Sequence, residues 1–367
     1  MRSRIGKPDG FLFVIVLFLT AFGLVVLYSM SAYNGQVRFG DAAYYFKKQL
    51  FAMALGLAAM YAMSLVDYHV LRRFALPAYV LSLLLSGAVL LFGDAYNGSR
   101  RWLSVGPLSF QPAEYAKPAV ILLLAGLVSS MNRKRSGAMI VSVLLMVLPI
   151  VGLVGTNNLS TAVIILGIAV LMIFISNPRY LPFLWIVLAG SGFLGIFLSL
   201  ESYRLERLAI WRHPEQFEKG YQTMQGLYAI GSGGLFGRGL GNSLQKLGFV
   251  PEAQNDMIFA VICEELGLFG ALLLMLLFLL LLWRFMVVAT HAPDLFGSLI
   301  AAGIMGHIAI QVLLNIAVVT NTIPNTGITL PFISYGGTSV LFLLAEMGLA
   351  LSVSRWCEYP GKRRSAQ

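Results

Sequence analysis

Long apolar runs separated by short polar clusters make up most of the chain. Segments of spanning length run from Gly10 to Ser31, Gln49 to Val66, Ala75 to Gly93, Ala113 to Ser130, Gly137 to Gly155, Thr161 to Ser176, Leu181 to Leu200, Met257 to Ala289, Leu295 to Thr320 and Ser339 to Trp356. About 20 apolar residues in a helix reach across the hydrocarbon of a bilayer, so the pattern predicts about ten transmembrane helices. The Thr161 segment is short, and the Met257 segment is long enough to tilt or to begin above the membrane. The predicted fold is an all-α integral membrane bundle forming a single domain over residues 1–367, with one long extramembrane loop, residues 201–256, before the eighth helix.

Composition supports lipid as the main solvent. The 367 residues are 58% hydrophobic and 11% charged, against about 25% charged in soluble domains. Met1 to Lys7 is basic and precedes an apolar run too long for the core of a signal peptide, with no convincing cleavage site after it; a retained first helix is expected. The two cysteines, Cys263 and Cys357, have no obvious partner across a loop, which argues against a disulfide framework or a cysteine metal site. The net charge of +10 sits at the ends of apolar runs rather than on one soluble face. Membrane topology and anionic lipid explain it better than nucleic acid does.

An even number of spans places both termini on one side. With the termini inside, the cytoplasmic ends hold fourteen basic residues: Arg2, Arg4, Lys7, Arg72, Arg73, Arg133, Lys134, Arg135, Arg179, Arg284, Arg355, Lys362, Arg363 and Arg364. Short loops on the opposite side hold five, Arg38, Lys47, Lys48, Arg100 and Arg101. The positive-inside bias therefore predicts cytoplasmic termini and an outer long loop, where an elaborate site has room.

That loop carries the densest signal, Leu227 to Ser243 with its repeated glycines, followed by Gln245 to Gly267. Three more stretches accompany it: Asn97-Gly-Ser-Arg-Arg-Trp102 leading to Phe110-Gln-Pro-Ala-Glu-Tyr-Ala-Lys117, Ser202-Tyr-Arg-Leu-Glu-Arg207, and Thr329-Leu-Pro-Phe-Ile-Ser-Tyr-Gly-Gly-Thr-Ser339. In this order they closely resemble the signatures of the SEDS family, whose members include FtsW, RodA and SpoVE, with Thr326 to Ser339 closer to the FtsW and SpoVE side. The resemblance implies a ten-helix bundle in the bacterial cytoplasmic membrane. It also implies polymerisation of lipid II by peptidoglycan glycosyl transfer at the outer face, and a class B penicillin-binding protein, a transpeptidase, as partner. A lipid II flippase and a non-catalytic scaffold for that transpeptidase are the alternatives.

By the same resemblance Asp256 is the catalytic carboxylate, although Gln254 and Asn255 stand where His and Thr are usual. One carboxylate suits the chemistry: the acceptor hydroxyl needs a base, while pyrophosphate leaves without an acid, unlike the leaving group of a glycosidase. The competing reading is that Asn255-Asp256 caps the helix beginning near Met257. Arg101, Glu114 and Lys117 match positions the family uses and could bind pyrophosphate; alternatively Glu114 and Lys117, three apart on one helical face, form an ion pair. Mg²⁺ or Mn²⁺ is the cation expected to neutralise the leaving group, with its protein ligands unassigned.

The glycines from Gly231 to Gly241 could offer backbone N–H groups to a pyrophosphate or could simply make a tight re-entrant turn. They lack the Lys-Ser/Thr ending of a nucleotide loop, so no nucleotide is expected. Glu264, Glu265, Glu346 and the His307, Gln311, Asn315 stripe should face protein or water, with interhelical hydrogen bonding the expected role. No inverted repeat or pair of broken helices is evident. Asn158 replaces an aspartate common in the family, so no charge is needed there.

Overall fold

The computed structural model describes residues 6–96, 99–105, 108–131, 136–176, Gly190, Gly192 and 208–358. The predicted span Leu181 to Leu200, the Ser202 to Arg207 stretch and the basic residues Arg133 to Arg135 and Arg179 lie outside them. Among the described residues nine helices are long and apolar enough to cross a membrane. They are α1 (Gly10–Phe39), α2 (Tyr44–Leu65), α3 (Tyr68–Phe92), α4 (Pro112–Ser130), α5 (Ser136–Gly155), α6 (Leu159–Ser176), α8 (Ile258–His291), α9 (Leu295–Val319) and α10 (Gly337–Ser354). Each overlaps a predicted span, and the chain is a multi-pass membrane protein. A shorter helix, α7 (Tyr221–Gly233), precedes α8.

Burial divides the bundle into a protein-facing centre and a lipid-facing rim. The apolar window of α10 is 72% buried, whereas those of α2, α3 and α8 are 28% buried. Helix α9 is the axis of the centre, packing against α4, α6, α8 and α10, while α10 also covers α2. Exposed Leu91, Phe92 and Leu84 on α3 face the surface that lipid covers, where an apolar side chain needs no further partner.

Local chemistry fixes the end of the bundle at which both described chain ends lie. The Asp9 carboxylate accepts the N–H groups of Phe11 and Leu12 and pairs with Arg284 of α8. Asp67 and Asp294 cap α3 and α9 in the same way, as acidic N-caps do for orphan donors. The N–H of Gly6 donates to Arg355 O at 2.8 Å, and that of Asp9 to Ser354 Oγ at 2.9 Å. Both described chain ends therefore meet on one side of the bundle, as the even span count requires.

Two features of the opposite end depart from the sequence expectation. The loop after α3 contains a small antiparallel sheet, β1 (Asp94–Tyr96), β2 (Ser99–Val105) and β3 (Leu108–Phe110), in the order β1-β2-β3. Helix α8 is broken: Gly267 lies at φ 66°, ψ −167°, with helix on both sides. The break frees the carbonyls of Glu264 and Glu265 and the N–H groups of Leu268 and Phe269, which would be costly at membrane depth without partners. The glycine-rich turn after α7 supplies all four. Arg238 and Gly239 donate to Glu264 O and Glu265 O at 2.9 Å, while Leu268 and Phe269 donate to Gly234 O and Leu235 O at 2.9 and 3.1 Å. A Cβ on Gly237 would lie 2.2 Å from Glu265 O, so only glycine permits this approach. The turn is thus structural at Arg238 and Gly239, whose N–H groups are taken and cannot form a pyrophosphate nest.

Candidate active site

Asp256 stands two residues before α8, in the end of the bundle opposite the termini. It is buried, because the segment after α9 crosses over it and α7 lies beside it. Gln222 of α7 donates from Nε2 to Asp256 Oδ1 at 3.3 Å and to Pro251 O at 3.2 Å, and accepts from Asn325 Nδ2 at 3.3 Å. On the other side of the carboxylate is Gly327, at φ 68°, where an added Cβ would sit 3.9 Å from Asp256 Oδ2. Below it, Asn315 Nδ2 donates to Asp256 O at 2.9 Å and to Ile328 O at 2.7 Å.

This setting raises the proton affinity of Asp256. Burial, aided by the negative charge of Glu252, pushes its pKa from 3.8 up to about 6, against the opposing hydrogen bonds from Gln222 and neighbouring backbone. The capping alternative is not what the helix uses: Met257 is the N-cap of α8, and no side-chain capping hydrogen bond is made there.

The second predicted cluster is a closed polar network across three central helices. Lys117 Nζ lies 2.9 Å from Glu114 Oε2, one helical turn away on α4, and donates to Gln311 Oε1 of α9 at 3.1 Å. An ammonium offers only donors, so the Gln311 oxygen must face it. His307 Nε2, 2.9 Å from the same oxygen, therefore carries a proton, and its Nδ1 faces Glu346 Oε2 of α10 at 2.7 Å. Gln311 Nε2 completes the set by donating to Thr329 O at 3.0 Å. His307 and Gln311 thus bond between helices as the stripe's spacing suggested, whereas Asn315 departs from that expectation and holds loop backbone instead. Glu265 bonds between helices by accepting from Ser29 Oγ of α1 at 3.0 Å, and also from Lys246 Nζ at 2.8 Å, whereas Glu264 holds the loop after α7, accepting from Ser243 Oγ and from the N–H of Leu244.

Arg101 occupies a third place. On β2, its Nε donates to Asn157 O at 2.8 Å, beside an opening lined by Arg100, Gln111, Asn157 and Asn158. Asn158 caps α6 through Oδ1, accepting the N–H of Thr161 at 3.1 Å; a neutral amide suffices for that bond. The structure therefore joins Glu114 with Lys117, holds Asp256 apart from them and places Arg101 at the rim. Sequence reasoning passed over Gln222, Asn325 and Gly327. The Gly220-Tyr221-Gln222 stretch and the polar Asn321 to Thr326 stretch were the available signals.

Among the described residues, no group of three or more His, Cys, Asp or Glu side chains is arranged to hold a metal ion.

Comparison with known proteins accords with this layout. A family model described as "Cell cycle protein", FtsW/RodA/SpoVE, matches residues 10–359. Stage V sporulation protein E of Bacillus subtilis (strain 168) is 41% identical, over 98% of this chain and 100% of its own. A probable peptidoglycan glycosyltransferase FtsW of Trichlorobacter lovleyi is 35% identical, over 96% and 94%. Among solved structures, a chain described under "Structural coordination of polymerization and crosslinking by a peptidoglycan synthase complex" superposes with a TM-score of 0.81 at 31% identity, covering 95% of this chain and 98% of that one. The rod shape determining protein RodA of Thermus thermophilus superposes with a TM-score of 0.71 at 29% identity, covering 95% and 97%. The chain belongs to the FtsW/RodA/SpoVE family.

Proposed function

We propose that this protein is a peptidoglycan glycosyltransferase that polymerises lipid II, with Asp256 as its general base. The observation that carries the base assignment is a buried carboxylate, free of capping duty, whose pKa of about 6 lies near working pH. In the step assigned to it, Asp256 takes the proton of the acceptor sugar hydroxyl as that oxygen bonds to the anomeric carbon of the donor. The bond from that carbon to the pyrophosphate oxygen breaks, and the lipid pyrophosphate departs with the electron pair. A base of this kind contributes roughly 10²–10⁴-fold. A divalent cation, Mg²⁺ or Mn²⁺, would supply neutralisation of the departing charge, held by phosphate oxygens and water.

Arg101, which lines an opening beside Asn157, is the residue proposed to meet a phosphate approaching from outside the bundle. Lys117 and Glu114, already paired, would engage substrate only by exchanging partners. Fourteen basic residues against five assign the termini end to the cytoplasm and Asp256 to the outer face. A class B penicillin-binding protein is the partner proposed, in keeping with a relative solved within a synthase complex. The break in α8 and the intramembrane charges are compatible with a flippase, but the backbone groups freed at the break are satisfied by the glycine turn.

The test is incubation of the purified protein with lipid II, followed by glycan-chain analysis. Asp256→Asn keeps the shape and should fold, yet lower polymer formation by about two to four powers of ten. Near-wild-type polymer would sink the base assignment. Polymer-free wild-type protein that moved lipid II between leaflets would favour the flippase.

A further inference from the structure

We infer that Asn315 is a positioning residue for Asp256, setting where the base stands and keeping it in register with the Lys117 cluster; this rests on the assignment of Asp256 as the base. Asn315 is completely buried, near the end of α9 that approaches the site. Its single amide nitrogen holds two backbone carbonyls from different segments. One is that of Asp256 itself, at 2.9 Å, and the other that of Ile328, at 2.7 Å. Ile328 follows Gly327, the residue that walls the Asp256 carboxylate. One side chain therefore fixes both the base and the surface against which its carboxylate rests.

The amide cannot be turned over. Rotated, its oxygen would face two carbonyl oxygens and neither would have a donor. In the orientation held, Asn315 Oδ1 is buried with no donor among the described residues, an arrangement that disfavours stability. Residue 315 is thus placed for what its nitrogen grips.

The grip also reaches the second cluster. One turn earlier on the same face of α9, Gln311 accepts from Lys117 Nζ and donates to Thr329 O, the residue after Ile328. Asn315 and Gln311 fasten consecutive residues of the crossing segment to one rigid helix. Through that helix the Asp256 backbone and the Lys117 ammonium stand at a fixed offset. Displacing a catalytic group by about 1 Å can cost about 100-fold in rate, and nothing else in the described structure ties Asp256 to α9 by a side-chain hydrogen bond.

The experiment is a double-mutant cycle on the full chain, with purified protein and lipid II. Asn315→Leu keeps the branched shape, with somewhat greater volume, and removes both hydrogen bonds. It should lower kcat about 100-fold with KM unchanged, and in an Asp256→Asn background it should lower the residual rate no further, because its effect passes through Asp256. Wild-type kcat, a change confined to KM, or losses that multiply in the double variant would overturn the proposal. Should Asn315→Leu not elute as folded protein, Asn315→Ser replaces it in the same cycle with the same expectation. Failure of both to fold would make the residue structural and also overturn it. High activity in Asp256→Asn alone overturns the base assignment instead, an outcome distinguishable because it involves no change at 315.

Discussion

Two buried acidic residues near the site end of the bundle are treated in opposite ways. Glu114 is matched on all sides, by the Lys117 ammonium at 2.9 Å and by a hydrogen bond with Ser339. Asp256 has one neutral side-chain donor, Gln222 at 3.3 Å, and a like charge nearby in Glu252. Burying a charge is tolerable when it is compensated and expensive when it is not. The first arrangement therefore holds helices together, and the second stores a readiness to accept a proton. A fold would not retain the second for stability.

The largest effect that can break this contrast is at Lys117. Lys117→Met leaves Glu114 buried without its countercharge and should cost about 3–5 kcal/mol, read as a lowered thermal midpoint in detergent. Adding Glu114→Gln should recover most of it, since replacing both members of a buried pair removes the uncompensated charge. A folded double variant that makes no polymer would mean that Lys117 meets substrate as well. Stability unaffected by the single change would show that the pair is not the fastening described.

At Asp256 the sign is reversed. Its pKa in the folded protein, about 6, lies above the ordinary 3.8, so folding favours the protonated form. The penalty for charging it is absent below 3.8, grows between 3.8 and 6, and is complete above 6. That gap corresponds to about 3 kcal/mol at most. Asp256→Asn should then be more stable than wild type at pH 8 by up to that amount, and no more stable at pH 3.5. Thermal midpoints at the two pH values decide it; a destabilised variant at pH 8 would mean that the carboxylate is compensated after all.

How much of this was readable in advance depends on whether side chains or backbone do the bonding. The spans could be placed because lipid imposes long apolar runs, and the Glu114 and Lys117 pair because three-residue spacing puts both on one helix face. The α9 stripe was visible for the same reason. The break at Gly267 was hidden: Leu266-Gly267-Leu268 sits inside an apolar run, and glycine is common in membrane helices. What distinguishes it is the conformation forced by a distant turn, whose carbonyls and N–H groups have no sequence signature. Asn315 was seen as polar and buried, yet its partners are backbone carbonyls at 256 and 328, which any residue would present. The small sheet at β1 to β3 was missed because β1 and β3 have only three residues each and the seven of β2, Ser99 to Val105, do not alternate apolar with polar.

The smallest effect sharpens the comparison most finely. Glu252 contributes to the raised pKa of Asp256 through charge alone, and its own carboxylate accepts from Asn255 Nδ2 at 3.0 Å. Glu252→Gln retains an oxygen for that bond while removing the charge, so the loop should keep its course. Wild-type polymerisation should rise with pH through about 6 as Asp256 ionises, about tenfold per pH unit on the acidic side. Without Glu252, ionisation of Asp256 meets less repulsion, and the acidic limb should move to lower pH by less than one unit. The variant would then be slightly more active than wild type at pH 5 and equal to it at pH 8. A limb displaced to higher pH would show that Glu252 acts on Asp256 by holding the loop rather than by its charge, and an unmoved limb that the titrating base lies elsewhere.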